Sequence, residues 1–208
     1  DKSMKLINTG DPTYRPPVVM LVYGEGGVGK TTFASTAPNP LLADCEGGSK
    51  YFGLRGIKMD VAMIEKWSDM KDFLTLARGE KYNTIVIDPI GELMEKLKNF
   101  MVAQGNTKLV QKDESPTAAG WGWLKQTMRS YLKVLRDSGK HVILVAHVEE
   151  VNDDGRLVKR PKMQTKLSDE IVAMVDVAGY MTIVHQGGVT KRVIIVDPES
   201  DKYTAKDR

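Results

Sequence analysis

Gly24, Glu25, Gly26, Gly27, Val28, Gly29, Lys30 and Thr31 satisfy the pattern G-x-x-x-x-G-K-[ST], with Thr32 directly after it. Glycines at this spacing let successive backbone N–H groups turn inward around phosphate oxygens without Cβ clashes. A helix that starts at Lys30 adds the positive end of its dipole. The Lys30 amine can then reach the β- and γ-phosphates, and the Thr31 hydroxyl can ligate Mg²⁺. ATP and Mg²⁺ are therefore the expected ligands. The same glycines also fit G-x-G-x-x-G, and Asp44 lies 20 residues beyond Gly24, where a dinucleotide fold places its ribose-binding acid. That competing reading leaves Lys30 and Thr31 unexplained.

A second acid belongs with the loop. The run Thr84-Ile85-Val86-Ile87 ends in Asp88, the pattern of a Walker B strand whose aspartate completes the Mg²⁺ shell with Thr31. Basic residues are unevenly spread: Arg156, Lys159, Arg160, Lys162 and Lys166 follow one another without an intervening acid, directly after Glu149-Glu150 and Asp153-Asp154. Five cations on a loop could track a phosphate backbone, so they form the candidate DNA-binding set. Trp121 and Trp123 could stack bases or could pack at the start of a helix.

These residues need a scaffold, and 208 residues suffice for one large domain with its own core. Hydrophobic residues at 41% and charged residues at 27% exclude wholesale disorder and fibrous repeats. Apolar runs such as Val18–Tyr23 fall far short of the ~20 residues of a membrane span. One cysteine, Cys45, and three scattered histidines give neither an intrachain disulfide nor a zinc spacing, which points to a reducing, cytoplasmic compartment. A net charge of +3 is too mild to establish a nucleic-acid partner by itself.

Short apolar runs at 18–23, 41–45, 84–87 and 141–146 alternate with helical patterns at 30–37, 68–78, 91–104 and 121–138. Buried strands separated by helices predict an α/β fold, a mostly parallel sheet covered on both faces. After a short helix at 168–175, strands near 177–185 and 191–196 flank Gly187-Gly188, which predicts an antiparallel hairpin extending the sheet. Residues 1–3 read as the remnant of a cleaved tag, 4–17 as a lead-in and 18–208 as one domain. Two polar segments, 105–118 and 148–166, read as irregular loops.

The remaining features resemble the RecA-like ATPase core. Leu41-Leu42-Ala43-Asp44-Cys45-Glu46 is similar to the strand whose terminal glutamate polarises the attacking water, which makes Glu46 the general-base candidate. Val142–Ala146 ends at His147, where recombinases carry a γ-phosphate-sensing Gln, so the resemblance makes His147 the sensor despite that departure. The chain ends Lys206-Asp207-Arg208, similar to the Lys-x-Arg pair that helicases of this fold insert into a neighbour's site. Among RecA-like proteins, the small core resembles phage single-strand annealing proteins. That resemblance implies DNA-stimulated ATP hydrolysis and single-stranded DNA as partner, in annealing or homologous recombination within a bacterial host. It also implies a ring or filament of identical subunits with ATP at their interfaces, and a possible single-strand-binding protein as partner. A hexameric DNA motor and an ATP-controlled assembly switch that ignores DNA remain alternatives.

Overall fold

A computed structural model describes residues 8–163 and 167–207. Their strands are β1 (Val19–Gly24), β2 (Pro40–Asp44), β3 (Asp60–Met63), β4 (Thr84–Asp88), β5 (His141–Asp153), β6 (Arg156–Pro161), β7 (Val177–Gln186) and β8 (Val189–Ile195). Five α-helices accompany them: α1 (Lys30–Ser35), α2 (Asp69–Ala77), α3 (Ile90–Ala103), α4 (Ala118–Arg136) and α5 (Leu167–Met174). The sheet order is β3-β2-β4-β5-β1-β7-β8, with β6 pairing the far half of β5. Every neighbouring pair from β3 to β7 is parallel, and β8 returns antiparallel to β7. The expected α/β sheet with a terminal hairpin is therefore what the chain forms.

Burial on both faces explains the continuous apolar strands. Along β5, Val142, Leu144 and Ala146 join the large core under α2–α5, while Ile143 and Val145 join a smaller cluster with Ala34 of α1. α4 buries Leu124, Met128, Leu132 and Leu135 on one stripe, as its three-and-four spacing predicts. It starts at Ala118, earlier than expected, because the Thr117 hydroxyl accepts a hydrogen bond from the Gly120 N–H at 3.0 Å. Trp121 and Trp123 pack against the large core. Among the described residues, no helix is long and apolar enough to cross a membrane.

Two expectations fail locally. The segment 60–63, for which no strand was expected, forms β3, an edge strand beside β2 that is apolar but only four residues long. More consequentially, 148–161 is an antiparallel hairpin, with Val148 opposite Pro161 and Asp153 opposite Arg156. Asp154 (φ 47°) and Gly155 (φ 85°) close it, and an Asp-Gly pair with both φ values positive matches the twist of the flanking strands.

Two glycines of α4 make opposite predictions. A Cβ on Gly120 would fall onto the Leu109 backbone carbonyl, whereas a Cβ on Gly122 meets nothing within 4 Å. Gly122→Ala should gain ~0.5–1 kcal/mol from helix propensity. Gly120→Ala should lose about 1–3 kcal/mol to overpacking. Urea midpoints moving in opposite directions are the expected result.

Candidate nucleotide-binding site

The C-terminal ends of β1, β2, β4 and β5 converge, and the candidate residues sit where they do. β1 delivers the glycine loop. Gly29, at φ 108°, turns the chain into α1 in a conformation that side chains rarely adopt. Lys30 is only 7% exposed, and its Nζ donates to the Gly24 and Glu25 carbonyls at 2.8 Å each. Burial lowers its pKa, although Asp88, Glu46 and Glu25 favour its charge.

Thr31 and Asp88 meet as the two motifs require: Thr31 Oγ1 donates to Asp88 Oδ2 at 2.6 Å. Burial raises the Asp88 pKa, with the negative charges of Glu46 and Asp44 adding to the effect. A hydroxyl and a carboxylate oxygen at this separation are hard donors that fit Mg²⁺, which takes few protein ligands and fills its octahedron with phosphate and water.

Asp44 is 3% exposed and fixes the loop after β2. Its Oδ1 accepts from the N–H groups of Glu46, Gly47 and Gly48 at 3.1, 2.8 and 3.2 Å, and its Oδ2 accepts from Ser49 N–H at 2.9 Å. Burial alone would raise its pKa, but bonds from Ser49, Gly47 and Glu46 outweigh burial and hold it below the usual range. A carboxylate spent on four backbone donors is a loop anchor. That occupation removes the ribose role on which the dinucleotide alternative depended.

The anchored loop turns Glu46 toward the phosphate loop, where it meets His147: His147 Nε2 lies 3.2 Å from Glu46 Oε2, and both side chains are partly exposed. His147 is also the register partner of Gly24 across β1 and β5. Its carbonyl accepts from Lys162 N–H at 2.8 Å, at the root of the β5–β6 hairpin. An open cleft of about 710 Å³ is lined by Gly27, Lys30, Thr31, Glu46, Asp88 and His147. Arg192 of β8, for which no motif was available, lines it as well.

The expected basic set divides. Arg160 pairs with Glu149 at 2.8 Å, and Lys159 lies 3.5 Å from Glu150, 4.0 Å from Glu25 and 3.2 Å from the Tyr180 hydroxyl. Two of the five cations are thus neutralised across the hairpin and do not stand on a free loop. Arg156 and Lys162 are exposed, and Lys166 lies outside the described residues. At the C-terminus, Lys206 Nζ donates to the carbonyls of Val172, Ala173 and Val175 at 3.1, 2.9 and 2.7 Å, closing the end of α5 within its own subunit. This engagement opposes the trans role expected of Lys206. Arg208 lies outside the described residues.

Fold and site together define a RecA-like P-loop nucleotide-binding core. The chain belongs to the AAA domain family, which matches residues 16–208. Its fold is similar to that of a KaiC-like protein from the hyperthermophilic archaeon Pyrococcus horikoshii, with a TM-score of 0.51 at 12% identity, over 88% of this chain and 79% of that one. No curated protein matches it in sequence.

The raised pKa of Asp88 carries a sign. An acid whose folded-state pKa exceeds its unfolded value destabilises the fold once ionised, a loss that is complete when pH has risen through the folded pKa. Asp88→Asn keeps an acceptor for Thr31 and removes that charge. It should raise the Tm of nucleotide-free protein at pH 7. The gain should vanish as pH falls below the ordinary carboxylate range, as followed by thermal melts across pH.

Proposed function

We propose that the protein binds ATP with Mg²⁺ in the Gly24–Thr32 loop and hydrolyses it. The observation that carries this reading is the convergence of Lys30, the Thr31–Asp88 pair and Glu46 on one open cleft. Lys30 exchanges its two loop carbonyls for phosphate oxygens, which supply the counter-charge its buried ammonium lacks. Thr31 and Asp88 hold Mg²⁺, which when bound neutralises charge developing on the β- and γ-oxygens. Glu46 takes the proton of the attacking water. His147, 3.2 Å from Glu46 at its Nε2, orients that carboxylate and links the γ-phosphate side of the cleft to β5 and, through its carbonyl bond from Lys162, to the end of β6.

Single-stranded DNA is the partner we assign to that hairpin, with annealing or homologous recombination as the activity. This follows the resemblance to phage annealing proteins and two exposed cations of the hairpin, Lys162 at its root beside His147 and Arg156 at its tip opposite Asp153. Assembly into a ring or filament with ATP at subunit interfaces belongs to the same proposal, as does cooperation with a single-strand-binding protein.

Lys30→Ala should abolish ATP binding. Glu46→Gln should bind ATP and lose about 10²–10⁴-fold in turnover, the usual worth of a general base. A Glu46→Gln enzyme at near-normal rate would place the base elsewhere. ATPase rates with and without single-stranded DNA, alongside sizing with ATP, test the partner and the assembly. His147→Ala should still bind ATP but lose DNA stimulation.

Replacing Arg156 and Lys162 by Gln should flatten the log–log salt dependence of DNA binding by about 1.4 units, at ~0.7 per phosphate contact. Replacing Lys159 and Arg160 should flatten it less, because both already face carboxylates. An unchanged slope in both variants would remove the hairpin from the binding surface.

A further inference from the structure

β8 brings a cation to the loop from the side opposite the acids. Arg192 stands opposite Ile183 in the β7–β8 ladder, and β7 runs beside β1, so the hairpin edge reaches the glycine loop directly. Arg192 Nε donates to the Val28 carbonyl at 3.0 Å. Its Cδ and Nε would lie 3.2 Å from a Cβ on Gly29, so the arginine stem lies across the space that glycine leaves. Arg160 and Lys159 face carboxylates, but Arg192 has no acidic partner among the described residues. Arg192 lines the same cleft as Gly27, Lys30 and Thr32. A guanidinium has five N–H donors in a planar fork suited to phosphate, and one of them is committed here.

We propose that Arg192 is a phosphate-binding residue supplied in cis, contacting the part of the phosphate chain that ATP and ADP share. This rests on the reading that the loop binds nucleotide. The strand order decides which phosphates it meets. Glu46 and Asp88 lie at the ends of β2 and β4, on one side of β1, and mark where the terminal phosphate goes. Arg192 lies on the other side of β1, past β7, over Val28 and Gly29. A clamp there holds both nucleotides alike, and because it comes from the same chain it acts without subunit assembly.

Titration of fluorescent N-methylanthraniloyl ADP and ATP into wild type, Arg192→Ala, Arg192→Gln and Lys30→Ala tests this, with thermal melts confirming that each variant is folded. Arg192→Gln keeps an N–H for the Val28 carbonyl and removes the charge. Both arginine variants should bind ADP and ATP about 10- to 100-fold more weakly, the worth of a charge-assisted bond, with the ratio of the two affinities unchanged. Wild-type affinity in Arg192→Ala would overturn the proposal. So would recovery in Arg192→Gln, which would make the residue only a brace for Val28, or a loss confined to ATP. A wild-type protein that binds neither nucleotide would overturn the underlying loop reading together with it, whereas loss of binding in Lys30→Ala alone would leave that reading intact and sink only Arg192.

Discussion

A lysine ammonium folded back onto the two carbonyls that begin its own loop is the interaction around which the rest of the site is arranged. Burying a cation in this way is costly, and Lys30 has no carboxylate in direct contact among the described residues; it has carbonyl dipoles and three acids at longer range. The amine ties the first two residues of the loop to the first turn of α1. The sheet has to deliver the loop, the acids and α1 to one edge for this to work. Parallel strands with their carboxyl ends aligned do so by construction.

Three carboxylates meet at that edge, and their surroundings divide the work among them. Asp44 receives four backbone donors and stays ionised, a fixed anion that shapes the chain after β2. Asp88 is buried near two like charges with one hydroxyl donor, so its negative charge is held under tension. Glu46 is partly exposed, touching His147. Identical chemistry in three environments yields a backbone anchor, a buried acid under tension and a partly exposed acid, the last two being the ones proposed above as metal ligand and base.

The parts of the site that are contiguous in sequence were legible from sequence. The glycine loop and the Thr84–Asp88 strand each announce themselves within eight residues, and the alternation of buried strands and helices sets the α/β class. The contacts that escaped are those between distant residues. Arg192 meets Val28 across 164 positions and carries no local signature. Asp44 was visible but open to misreading, because the spacing of a ribose-binding acid and that of a loop anchor coincide here. The β5–β6 hairpin was hidden by its polar composition, since exposed strands held by cross-strand ion pairs have no apolar rhythm. Asp154-Gly155 was the local sign that could have revealed it.

β5 belongs to two layers of the molecule at once. Its first half lies in the parallel sheet between β4 and β1, and its second half leaves that sheet to pair with β6. His147 is the last residue in register with β1, so it marks the fulcrum. Six further residues to Asp153 make an arm of about 20 Å at ~3.3 Å per residue. A tilt of about 5° at the fulcrum would sweep the tip by nearly 2 Å over an arm of that length. An unbroken strand is stiff along its length, so a displacement small enough to be set by one side chain beside the cleft arrives at the far end magnified and with its direction kept.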